Sequence, residues 1–108
     1  MDRTERIAAL NDQLRRDYNR GKVVITRGIQ ALGHKAILDI LAAVAAFSEF
    51  TPDNDPYAEH DCAVMTVGDH RIIWKIDTYD TDLNFASDDP ANPAVTIRVL
   101  TIMLADEY

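Results

Sequence analysis

DCAVMTVGDHRIIWKIDTYD, residues 61–80, holds two runs rich in β-branched and aromatic residues on either side of Gly68-Asp69. Two such runs split by a two-residue Gly-Asp step predict a β-hairpin with a tight turn. With Gly68-Asp69 at the tip, Val67 faces His70, Met65 faces Ile72, Ala63 faces Trp74 and Asp61 faces Ile76. Side chains alternate across a strand. Ala63, Met65, Val67, Ile72, Trp74 and Ile76 therefore share one face, expected to be the core side, and Cys62, Val64, Arg71, Ile73 and Lys75 share the other. One step further along, the same register sets His60 opposite Asp77 on that second face. A slip of one residue would exchange the two faces, so the pairing is a sharp expectation.

Upstream, residues 34–49 carry Ile37, Leu38, Ile40, Leu41, Val44 and Phe47 over most of a helical circumference, which predicts a helix packed on more than one side. Pro52 and Pro56 prevent its continuation. Residues 3–20 predict another helix, with Asp2 as cap, Ile7, Leu10, Leu14 and Tyr18 on one stripe, and Gly21 as the stop. Arg3, Arg6, Arg15, Arg16 and Arg20 fall mainly off that stripe. KVVITRG, residues 22–28, reads as a short strand. Downstream of the hairpin, residues 78–92 read as loop. PAVTIRVLTIMLADEY, residues 93–108, fits helix or strand: its β-branched content favours strand, while its length and the Asn92-Pro93 start favour helix. Helix is the expectation. The result is a single α+β domain over residues 1–108, in the order α-β-α-β-β-α, with a small, mainly antiparallel sheet packed by helices.

The 108 residues are 47% hydrophobic, enough for one modest core. A lone cysteine, Cys62, forms no internal disulfide and suits a reducing compartment. The opening MDRTERIAAL alternates charges and lacks the apolar run of a secretion signal, so a cytoplasmic location is expected. No stretch is long and apolar enough to suggest a membrane span. Net charge is −7 and unevenly spread. Residues 1–48 carry eight Lys/Arg and five Asp/Glu, whereas residues 49–108 carry three against thirteen. Nucleic-acid binding draws on neutralised phosphates, so this field speaks against it.

Thirteen residues, 49–61, hold Glu49, Asp53, Asp55, Glu59 and Asp61, and residues 77–89 hold Asp77, Asp80, Asp82, Asp88 and Asp89. Neither segment has a Lys or Arg. Asp-Asn-Asp-Pro is ordinary turn chemistry. It also offers oxygen ligands to a hard cation, although the spacing fails the EF-hand pattern. A histidine beside carboxylates can act as a base or a ligand, so Asp53, Asp55, His60, Asp77 and Asp80 make up an alternative, a divalent-metal hydrolase site. Cys62 sits inside a strand with nothing to activate it. No phosphate loop, dinucleotide fingerprint or nucleophile elbow is present, and no cofactor is expected.

FTPDNDPYAEHD, WKIDTYD and LTIMLADEY, together with ALNDQLRR and KVVITRGIQAL, resemble a family of small proteobacterial proteins known only as a domain of unknown function. The resemblance covers nearly the whole chain. It implies an accessory protein of plasmids and integrating elements and supplies no catalytic residues. In that setting the expectation is a small acidic, non-enzymatic binding protein, of an anti-restriction or anti-CRISPR kind. It would meet a host or element-encoded protein through Asp53, Asp55, Glu59, Asp61, Asp77, Asp80 and Asp82. A homodimer joined through the apolar C-terminal helix is a further expectation.

Overall fold

A computed structural model describes residues 1–108. Four strands, β1 (Lys22–Ile25), β2 (Cys62–Val67), β3 (His70–Tyr79) and β4 (Ile97–Leu104), form one sheet in the order β1-β4-β3-β2. β2 and β4 both run antiparallel to β3, and β1 runs parallel to β4. The hairpin register is the one expected, from Cys62 opposite Lys75 to Val67 opposite His70. Gly68 has φ +58° and Asp69 is not in the positive-φ region, the φ pattern of a turn that matches the twist of its strands.

Alternation along β3 buries Ile72, Trp74 and Ile76, and along β4 it buries Leu100 and Ile102. The helices are α1 (Arg3–Arg16), α2 (Arg27–Gln30) and α3 (His34–Ala46). Leu14 from α1, Ile29 from α2, and Ile40 and Val44 from α3 complete one core cluster with these strand residues and Ala63. α1 packs on α3 and β4, α2 on β4, and α3 over β2. Asp2 caps α1 as expected, its Oδ1 accepting the Glu5 N–H at 2.8 Å. The other face of the sheet carries no helix, and Val24 and Val64 stand about half exposed on it.

The C-terminal segment corrects an expectation. Asn92 does accept the Ala94 N–H at 3.0 Å, but only a single 3-10 turn, Pro93–Val95, follows. Ile97–Leu104 is a strand, so the order is α-β-α-α-β-β-β. Burial alternates along most of β4, but Ile97, Val99 and Met103 sit on its outer face, so its sequence reads as apolar on both faces. A short run of that kind cannot be told from a buried helix by periodicity. The choice falls to strand because Ile97, Val99, Thr101 and Ile102 are β-branched and β4 pairs along β3 from Ile72 to Tyr79. The apolar residues meant for a helical dimer face are thus used within the sheet.

The chain end is clasped to the start of α2. Glu107 accepts from the Thr26 hydroxyl at 2.6 Å, the Leu104 N–H at 2.8 Å and the Gly28 N–H at 3.1 Å. A Cβ on Gly28 would stand 2.5 Å from the Glu107 carboxyl carbon, so the clasp needs glycine there. The Thr26 hydrogen bond, then those from Leu104 and Gly28, hold the Glu107 carboxyl below the usual carboxylate range.

Two outcomes follow from these contacts. Gly68→Val forces a β-branched residue into a glycine conformation and should lower unfolding stability by about 1–3 kcal/mol in denaturant titration. A depressed folded-state pKa gives stability that is present above the unfolded value and is lost as pH falls through the folded one. Glu107→Gln should therefore melt below the wild type near neutral pH. The gap should close as pH drops below the ordinary carboxylate range, as read by thermal unfolding across pH.

Candidate functional site

α1 places a guanidinium in the core. Arg15 follows Leu14 and stands one helical turn beyond Asn11, and all three are buried. Arg15 is 0% exposed. Its Nη1 donates to the Val44 carbonyl at 2.9 Å, which also accepts the Phe47 N–H, and to the Phe47 carbonyl at 2.8 Å, where α3 ends. Its Nη2 donates to Asp12 Oδ1 at 2.6 Å. The guanidinium carbon lies 4.8 Å from the Trp74 ring centre and 5.3 Å from that of Phe50, within cation–π range. Phe47, Phe50 and Trp74 meet edge to face around it, with centroids 5.0 to 6.1 Å apart. Arg15 thus joins α1, the end of α3, the sheet and Phe50 at the start of the acidic loop.

The loop itself is folded, not merely solvated. Asn54 accepts the Thr51 N–H at 2.7 Å and donates to the Glu49 carbonyl at 2.8 Å. Asp55 is buried, and the backbone N–H of His60 reaches both its carboxylate oxygens at 3.3 Å. The His60 ring stacks on Phe50, with centroids 3.9 Å apart and planes 4° from parallel. His60 Nδ1 lies 3.0 Å from Asp12, and its Nε2 lies 3.7 Å from Asp55. Ala58 and His60 both take positive φ, 56° and 54°, to bring the ring inward. Asn11 donates to the Glu59 carbonyl at 2.9 Å and accepts from Arg98 Nε at 2.8 Å, and Arg98 also binds the Pro90 carbonyl. One face of α1 thereby ties down the first acidic segment and, through Arg98, the chain just past the second.

The expected His60–Asp77 pair does not form. The chain leaves β2 at Asp61, whose carbonyl accepts the Ile76 N–H at 2.7 Å, and His60 then turns away to Asp12 and Asp55. Asp77 takes Lys75 instead, at 2.7 Å. Asp80 accepts the N–H groups of Asp82 and Asn84 and organises its own turn. Of the five residues of the metal alternative, only His60 and Asp55 meet, while Asp77 and Asp80 hold partners of their own. No group of three or more His, Cys, Asp or Glu side chains is set to hold a metal ion.

Among the proposed contact residues, Asp53 and Asp82 are exposed, while Asp55 offers little surface. Glu59, Asp61, Asp77 and Asp80 are partly exposed. Burial, and then the charges of Asp55 and Asp77, push the Asp61 carboxyl up, partly offset by its backbone hydrogen bond and by His60. The acidic segments thus approach each other at Asp61 and Asp77. Burial and the charges of Asp61 and Asp55 also push the Cys62 thiol up, against any thiolate role.

Charge was the misleading signal for Arg15, Asn11 and Asp12. Asn11, Leu14 and Arg15 share the buried side of α1, and Asp12 stands three residues before the arginine it pairs with. That polar stripe was readable as an anomaly, but its partners, 29 to 87 residues away, were not.

Removing one member of a buried pair strands the other and leaves carbonyls unmet. Arg15→Ala should lower stability by about 3–5 kcal/mol in denaturant titration. In a double-mutant cycle, Asp12→Asn and His60→Ala should couple by about 0.5–3 kcal/mol, while Asp77→Asn and His60→Ala should add to within about 0.5 kcal/mol. Coupling of His60 to Asp77 instead would contradict this geometry.

No helix is long and apolar enough to cross a membrane. No curated protein and no solved structure matches the chain. A family model does match, over residues 25–107, from the end of β1 through the clasp at Glu107. The chain belongs to the family described as protein of unknown function (DUF3768).

Proposed function

We propose that this chain is a non-enzymatic binding protein, an accessory product of a bacterial mobile element acting in the cytoplasm. It would engage a host or element-encoded protein of a DNA-recognising defence system, in the manner of an anti-restriction or anti-CRISPR inhibitor. Carboxylates around the open end of the hairpin would stand where the partner expects phosphates.

The observation that carries the reading is that the two acidic segments meet at Asp61, whose carbonyl accepts the N–H of Ile76, the neighbour of Asp77, at 2.7 Å. The Asp61 carboxyl is pushed up by burial and by Asp55 and Asp77. Lys75 already pairs with Asp77, and the His60 ring lies against Asp12 and Asp55. A carboxylate held among like charges opposes folding at neutral pH. Such a cost is characteristic of groups retained for function. Asp53 and Asp82 extend the same charge outward without an ion pair of their own. A negative surface of this kind steers a basic partner and sets the rate and specificity of encounter.

Asp61→Asn separates the two roles. A raised folded-state pKa means that stability is fully present below the unfolded value and is lost as pH rises through the folded one. Asp61→Asn should therefore melt above the wild type at neutral pH, with the gain vanishing in acid. The test of function is capture of a binding protein from bacterial lysate at low salt, followed by titration of the purified pair. Its affinity should fall at least tenfold between about 50 and 500 mM NaCl, as screening removes exposed charge attraction. It should fall similarly in Asp53→Asn/Asp61→Asn/Asp77→Asn. An affinity indifferent to both salt and the triple variant would refute the carboxylate-face reading.

A further inference from the structure

Two arginines are buried in this chain, and their charges are met unequally. Arg15 has the Asp12 carboxylate at 2.6 Å. Arg98 is 6% exposed and has no carboxylate partner. It leaves β4 on the helix-covered face, two residues before Leu100. Its Nε donates to Asn11 Oδ1 at 2.8 Å and its Nη2 to the Pro90 carbonyl. Both acceptors are neutral. Nη1 meets no acceptor in the chain, and, unlike Arg15 Nε, it is not sealed from solvent. Burial alone holds the Arg98 guanidinium below the usual arginine range, with no acid acting to raise it. A buried charge without a counter-ion opposes folding.

The guanidinium opens onto a hollow of about 220 Å³ between α1 and the chain entering β4, lined by Leu10, Gln13, Arg20, Pro93, Thr96 and Arg98. The chain has 18 Asp and Glu residues, yet none lines this hollow. The Thr96 hydroxyl is engaged, donating to the Asp89 carbonyl at 2.8 Å and lying 2.6 Å from Ser87 Oγ. Gln13 is exposed on α1. Arg20 is set in place by the 3-10 turn Tyr18–Arg20 and by Gly21, where a Cβ would stand 2.7 Å from the Arg98 carbonyl. Its Nε lies 3.5 Å from Asp17, and Asp89 lies 3.5 Å from Arg3. With both of these exposed pairs counted as neutral, the charge of Arg98 is still left over. The net charge of −7 does not cancel it, because charges more than about 8 Å away are largely screened at physiological salt.

We propose that this hollow binds a small oxyanion, the phosphate or carboxylate group of a metabolite, as the counter-ion that Arg98 lacks. Arg98 Nη1 donates to it from the floor, and Arg20 and the Gln13 amide donate from the rim. Paired guanidinium N–H groups suit the oxygens of either group. Leu10 and Pro93 give the hollow an apolar wall. Its volume is below the roughly 300–1,000 Å³ of sites for drug-sized ligands, so the occupant is small.

NMR of the full chain tests this, with sodium phosphate or sodium acetate titrated against NaCl at constant ionic strength. At least one of the two should shift the Arg98 Nε–H and the Gln13 and Thr96 amides saturably, and the tighter one names the group preferred. Gln13→Glu sets a carboxylate beside Arg98 from an exposed position and so imitates the ligand. It should raise the Tm of the free protein and weaken oxyanion binding at least about tenfold. Arg20→Gln, also at an exposed position, should weaken binding severalfold and leave unfolding cooperative. Three results would each overturn the proposal: no saturable shift with either salt up to about 50 mM, binding unchanged in Gln13→Glu, or shifts centred away from Arg98.

Discussion

The contacts of Arg15 hold the rest of the arrangement in place. A fully buried guanidinium carries a desolvation penalty of several kcal/mol unless its hydrogen bonds are met. Here two are met by carbonyls at the end of α3 and one by Asp12, and its flat face lies over Trp74 and Phe50. These contacts span α1, the end of α3, β3 and the acidic loop. α1 cannot shift without stranding the charge, α3 cannot extend without withdrawing its carbonyls, and Trp74 fixes the sheet beneath. The fit is incomplete: Arg15 Nε and Trp74 Nε1 are buried without partners. A polar centre of this kind favours one packing over many, because alternatives leave a charge unmet.

From that centre the acidic loop acquires its shape. Asp12 joins Arg15 to His60, His60 stacks on Phe50, and Asp55 receives the His60 backbone. The carboxylates of residues 49–61 thus divide into two groups with different physical roles. Asp55, with Asp12 from α1, works inward and holds the loop to the helix. Asp53 and Asp61 are left outward or at the boundary, and Asp61 bears the cost of burial and then of its acidic neighbours. A rigid scaffold that presents unpaired charge is a better partner surface than a mobile tail, because little ordering remains to oppose association.

The hairpin was legible to the residue. A two-residue turn and strict alternation leave one register that buries Ile72, Trp74 and Ile76 together. The α+β class and the caps at Asp2 and Asn92 were legible for similarly local reasons. β4 was not, since Ile97, Val99 and Met103 make its outer face apolar in sequence and hide the alternation that its burial shows. The inner face of α1 was not either: arginine and asparagine are taken as solvent-facing unless a partner is known, and these partners lie on α3, β4 and the loop. His60 failed for the same reason. Extending the hairpin register one residue past Asp61 assumed a straight strand, where the chain turns through positive φ at Ala58 and His60.

The central claim is that residues 49–61 belong to the cooperative core and are not a solvated connector. Native-state hydrogen exchange measures this most directly. The Asp55 and Ala58 amides donate to Thr51 and Asp55 carbonyls at 2.8 and 3.0 Å, and the His60 amide to the Asp55 carboxylate. The account predicts that these three exchange only with global unfolding, in the same class as the Trp74 and Ile102 amides. Exchange of the Asp55 and His60 amides at free-peptide rates, while β3 and β4 stay protected, would contradict it.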